Sequence, residues 1–113
     1  MNTNELLSRY AAGQRDFKNV ILIAANLRSA NLSGANLSGA NLTKANLTKT
    51  NLSHANLAGA NLAQTNLMET NFVKANLSGA DLKDSTLDGA FLHGATLPDG
   101  AMGSENPKLG MPV

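Results

Sequence analysis

The sequence predicts a solenoid: a chain wound in stacked turns around one shared core, closed at its start by a short helix. Three observations predict it. Leu or Phe returns every fifth residue from residue 17 to residue 97 without a gap. A small residue usually stands two positions before it, and Asn or another polar residue one before it. Ahead of this run lie helix signals, and behind it the pattern dissolves into "PDGAMGSENPKLGMPV".

A period of five fits neither regular element. On an α-helix five residues advance about 500°, so successive Leu would spiral around the axis and form no stripe. On a straight strand alternate residues face opposite sides, so every second Leu would point to solvent. Asn and Gly in each repeat also oppose a helix. The remaining solution is a chain that turns inward once per repeat, and a fixed short period is the signature of such stacks. Several coincidences point to a turn of 20 residues: Gly39, Gly59 and Gly79; Thr50 with Thr70; Thr65 with Ser85; and the opposite charges Lys49 and Glu69.

The chain divides into a lead-in over 1–14, repeats over 15–99 and a tail over 100–113. In the lead-in, residues 3 to 12 fit a helix with Asn2 as N-cap, Glu5 three residues later and Gly13 as breaker. Leu6, Leu7 and Tyr10 share one face, and so short a helix needs tertiary support. It is expected to pack over Phe17 and Ile21, covering Ile21 and Ile23, which flank a centre and point outward. An amphipathic membrane anchor is the alternative, but one Arg and one Glu make a poor basic face.

In the repeats the predicted core is the set of 17 centres: Phe17, Leu22, Leu27, Leu32, Leu37, Leu42, Leu47, Leu52, Leu57, Leu62, Leu67, Phe72, Leu77, Leu82, Leu87, Leu92 and Leu97. Eleven of the residues two before a centre are Ala, and Thr50 and Thr70 at that position should point inward and hydrogen-bond to backbone. Phe72 should widen its turn locally. The Asn before each centre is taken as outward-facing. Pro98, Asp99 and Gly100 are turn chemistry, and the tail, residues 100–113, is expected to be loosely ordered or disordered. Leu109 or Met111 is expected to cover Phe91, unless the last turn stays open for end-to-end dimerisation.

The stretch "ANLSGANLSGANLTKANL" resembles the pentapeptide repeat family, whose pattern is a small residue, Asn or Asp, Leu or Phe, then two variable residues. The resemblance covers about three quarters of the chain. It implies an all-β fold, a right-handed quadrilateral β-helix with four repeats per coil and about four coils, with Leu, Phe and the preceding Ala in the interior. Departures such as Arg15, Val20, Ile21, Thr86, Phe91 and Thr96 fall at the ends.

Composition excludes several functions. The net charge is +1 with 15% charged residues, too weak a field for nucleic acid or an acidic substrate. There is no Cys, which removes disulfides, thiol catalysis and thiolate metal sites. No apolar run approaches the roughly 18 residues of a membrane span, and the N-terminus lacks the pattern of a secretory signal. A cytoplasmic location is the expectation, and the six Asn-x-Ser/Thr triplets are then by-products of the repeat rather than glycosylation sites. His54 and His93 would share a face two turns apart, roughly 10 Å at about 4.8 Å per rung, too far for one zinc ion. No Ser–His–carboxylate set converges, and "SGANLSGA" lacks the Lys and helix of a phosphate loop.

The sequence therefore reads as a non-catalytic protein-binding or scaffold module. It has no catalytic residues, metal site or cofactor. Its protein partner is not named by the sequence, neither nucleic acid nor membrane is a partner, and it is a monomer or an end-to-end homodimer. The resemblance implies two other roles. Some pentapeptide repeat proteins mimic duplex DNA and bind DNA gyrase. That mimicry needs a strongly acidic rod, which the near-neutral charge and Lys44, Lys49 and Lys74 oppose. Many small members are cyanobacterial, and the short helix with the "GQRDF" entry resembles them, implying a small regulatory protein of that type.

Overall fold

The structure is a computed structural model and describes residues 1–100. Helix α1, Thr3–Ala11, comes first. Its N-cap Asn2 is extended, and its Oδ1 accepts from the Glu5 N–H at 2.8 Å, which satisfies one of the unpaired donors of the first turn. Arg9 pairs with Glu5 one turn back, and Gly13 leaves the helix with φ +105°, open to glycine without strain.

From Asp16 onward the chain is a stack of turns. Thirteen single-residue parallel bridges join positions 20 apart, from Asp16 with Asn36 to Asn76 with Thr96. Four five-residue repeats therefore make one turn, the period that the recurring Gly and Thr spacings indicate. Regular β-structure among the described residues consists of these bridges, because each side of a turn has only one residue between bends.

One repeat accounts for its whole backbone donor set. The Asn41 N–H donates to Val20 O at 2.9 Å in the preceding turn. The Leu42 and Lys44 N–H groups donate to Asn61 O at 2.8 Å and Ala63 O at 3.0 Å in the next turn. Ala45 N–H closes a bend on Leu42 O at 3.0 Å. That leaves the Thr43 N–H, which donates to the Asn41 side chain at 3.1 Å. Buried or bent backbone needs each donor matched, and here five donors have five acceptors. The cycle recurs along the rod.

The bend also dictates the backbone two residues past each centre. All 16 residues at that position from Asn19 to Gly94 have positive φ; six are Gly and ten are not. A turn whose third residue has positive φ favours Gly or Asn there. The non-glycine cases, such as Lys44 at 64° and Gln64 at 59°, are conformations that the stack imposes.

Inside, 14 of the 17 centres are buried, with the Ala residues packed between them. Leu82, Leu87 and Leu97 depart from the predicted core in being only partly buried. They lie in the last turn, with no further described turn beyond them. Phe72 is fully buried, and the ladder runs unbroken past it, its N–H donating to Phe91 O at 2.8 Å. The buried Thr50 and Thr70 donate their hydroxyls to Leu27 O and Leu47 O in the preceding turn, each at 2.7 Å, while Thr65 turns its hydroxyl onto Leu62 O three residues back. Helix α1 buries Leu6 completely and Leu7 and Tyr10 in part. The expected cover over Ile21 and Ile23 does not form: they stay 61% and 54% exposed, because α1 presses its Leu6 face onto the core. The expectation for Leu109 and Met111 lies outside the described residues.

Candidate functional site

The side walls are built by the bridge register. Residues one before, one after and two after each centre project outward in columns that repeat every 20 residues. On one wall Asn36, Asn56 and Asn76 bridge in series, and beside them Gly39, Gly59 and Gly79 stack closely enough that a Cβ on Gly79 would lie 3.8 Å from the Gly59 nitrogen. This wall is flat and uncharged through its middle. The next wall along carries Lys44, Gln64 and Asp84 in one column, and the wall beyond it carries Arg28, Thr48, Met68 and Asp88 in another.

The Asn residues do more than face outward. Eleven precede a centre, from Asn26 to Asn76, and in the described repeats each Oδ1 accepts the N–H two residues on, at 2.9 to 3.2 Å. Asp16 and Asp81 do the same for Lys18 and Lys83. A side chain of this length folds onto the backbone two residues ahead, the geometry of an Asx turn. Where Ser or Thr comes after the centre, its hydroxyl can donate to the same oxygen, as Thr43 does at 2.6 Å and Thr48 at 2.7 Å. Reading Asn as simply outward misses this; its unbroken recurrence one position before the centre, beside freely varying neighbours, is the signal that could have found it. At Thr96 the residue two positions on is Pro98, and proline has no N–H to satisfy.

The two histidines do not meet. The His54 N–H donates to Val73 O, and the Lys74 N–H donates to His93 O, so the rung of Val73 and Lys74 lies between them. Both imidazoles are exposed. Among the described residues no group of three or more His, Cys, Asp or Glu side chains could hold a metal ion, and no helix is long and apolar enough to cross a membrane. Lys49 and Glu69 form the expected cross-rung pair at 3.9 Å, each about half exposed. Such exposed pairs contribute at most about 1 kcal/mol and weaken with salt.

The helix end differs from the walls. The Tyr10 hydroxyl donates to Ser33 O at 2.6 Å, filling a carbonyl that in later turns accepts a backbone N–H. Arg15 cannot enter the core as Ala does at its position. Instead its guanidinium stacks 3.7 Å over the Tyr10 ring and donates to Tyr10 O at 2.9 Å, near the negative end of the helix. Gln14 donates to Asp16 O at 2.8 Å. Beside this cap a shallow groove of about 320 Å³ is lined by Met1, Thr3, Ile21, Leu22, Ile23 and Ala25, together with Asn2.

A family model described as pentapeptide repeats matches the chain in eight copies, over residues 16–48, 45–84 and 75–99. Among solved structures the chain is similar to HetL, a pentapeptide repeat protein involved in heterocyst differentiation regulation from the cyanobacterium Nostoc sp. strain PCC 7120. The two are 40% identical with a TM-score of 0.68, over 81% of this chain and 45% of that one. It is also similar to a pentapeptide repeat protein of the Arabidopsis thaliana thylakoid lumen, at 33% identity and a TM-score of 0.69, over 79% of this chain and 66% of that one. The chain thus spans less than half the length of the first and about two thirds of the second. These likenesses imply a right-handed β-helix solenoid. None of the curated proteins matches the chain significantly.

Proposed function

Because the chain belongs to the pentapeptide repeat family, we propose that it is a non-catalytic binding or scaffold module that presents side chains to a protein partner from a rigid rod. The observation that carries this reading is the fixed register of its walls. Each outward residue is held by its own bend and by bridges to the turns on either side, so columns such as Arg28, Thr48, Met68 and Asp88 repeat at a constant rung spacing. A partner meeting such a wall finds side chains already ordered, which lowers the entropic cost of binding. The rod in this reading is four-sided, with about four coils, and works in the cytoplasm.

A regulatory role of the cyanobacterial kind is the second reading, and the likeness to HetL, whose description is regulatory, supports it. DNA mimicry toward gyrase is disfavoured by the net charge of +1. The test is affinity capture from a lysate of the source organism, read by mass spectrometry, against a rod whose outward positions are scrambled. A specific protein caught by the native walls alone supports the module. Turnover of a substrate by the pure protein, lost on changing His54 or His93, would sink it.

A further inference from the structure

The charges are sorted along the rod. Residues 1–50 hold six basic against two acidic side chains, net +4, while residues 51–100 hold two basic against five acidic, net −3; Glu105 and Lys108 beyond them cancel. The near-zero net charge hides this dipole. We propose that the chain associates with a second copy of itself head to tail, the helix-capped end of one copy docking on the last turn of the next. This goes beyond the scaffold reading and does not depend on it.

Three observations support a second copy as the occupant. First, the two ends are electrostatically complementary to one another and each repels its own kind, so charge favours head to tail over either symmetric pairing. Second, both ends offer apolar surface. Ile21 and Ile23 are more than half exposed on the outer wall of the first turn, beside the groove at the start of α1, and Leu82, Leu87 and Leu97 are only partly buried in the last turn. Third, the columns align opposite charges across such a joint. Arg28 and Asp88 are both exposed and stand in one column, on the first and last of its rungs, so when two rods dock with their walls in line, Asp88 of one and Arg28 of the next face the same side of the joint, with α1 between the two turns. A contact between two different patches does not close on itself and gives a growing series rather than a fixed dimer.

The full chain is measured by sedimentation velocity over a wide concentration range, at about 20 mM and about 500 mM salt, concentrations at which charge interactions are long-range and largely screened respectively. The expected result is a mass that climbs with concentration at low salt, with association weakened about tenfold or more at high salt. Arg28→Glu and Asp88→Arg should each weaken it by about tenfold or more. Mixed together, the two variants set opposite charges against each other at both kinds of joint, native and swapped, so alternating copies should regain the growth that neither variant shows alone. A circular-dichroism spectrum matching the parent verifies that both variants fold. A monomer at every concentration in low salt overturns the proposal. So does a dimer of fixed mass, an association indifferent to both charge changes, or a mixture of variants that regains no growth.

Discussion

Asn46→Ala removes one acceptor and strands two donors. Its Oδ1 accepts the Thr48 N–H at 3.0 Å and the Thr48 hydroxyl at 2.7 Å, and Thr48 is only 8% exposed. Each such bond has a net worth of about 1 kcal/mol, and a buried donor left without a partner costs about 1–3 kcal/mol. The hydroxyl can rotate toward another acceptor, but the N–H cannot, so the expected loss is about 2 kcal/mol. For a chain of this size that is a fall in Tm of about 10 °C. Urea unfolding should show a lower midpoint at an unchanged m-value, the mark of lost stability rather than altered compactness. Two companions sharpen the test. Asn46→Asp keeps the acceptor, as Asp16 and Asp81 do at their own positions, and should retain most of the stability. Asn66→Ala strands only the N–H of Met68, an exposed residue that water can reach, and should cost about 0.5 kcal/mol. Equal losses for the Ala and Asp variants at residue 46, or a larger loss at residue 66 than at 46, would refute the claim that the carboxamide stabilises the bend by accepting that N–H.

Leu57→Ala, at a fully buried centre in mid-rod, should cost about 2–5 kcal/mol in the same unfolding measurement. Gly59→Ala meets nothing within 4 Å but forces a side chain to φ +68°, so calorimetry should record a loss of about 1 kcal/mol from backbone alone. The converse, Gln64→Gly at φ 59°, should be neutral or stabilising by up to about 1 kcal/mol, and a clear loss there would contradict the reading of these corners as strained. Thr70→Val should cost about 1 kcal/mol, since Leu47 O keeps its bond from the Thr50 N–H when the hydroxyl is gone. Tyr10→Phe frees Ser33 O and should lower stability by about 1 kcal/mol, with hydrogen exchange accelerated in α1 before the rest of the rod.

The architecture was legible because it is repeated. One Leu at a five-residue step is ambiguous, but 17 consecutive centres leave a single arrangement that buries them together. The stop and start of α1 were legible for the same local reason: Asn2 reaches the Glu5 N–H three residues away, and Gly13 takes a φ closed to other residues. Partner identity was not legible, because the outward positions vary without a motif, and the walls they build are chemically plain.

What the sequence determined by itself is the set of short-range facts: the period, the inward Leu, the capped helix and the inward Thr50 and Thr70. The helix cap depends on a bond to backbone three residues away, and the rest on side-chain size and position in the repeat, although the hydroxyls of Thr50 and Thr70 find their acceptors 23 residues back, in the preceding turn. What only the tertiary structure decided depends on which turn lies above which. The Asn carboxamide has a purpose only once the other donors of its repeat have been taken by the turns on either side. The positive φ of Lys44 or Gln64 is tolerated only because those same neighbours hold the corner in place. Ile21 and Ile23 stay exposed because α1, anchored by Leu6 and by Tyr10 on Ser33, covers the core rather than the outer wall. The charge segregation of the two ends, written plainly in the residue order, acquires meaning only when the stack turns position along the chain into position along an axis.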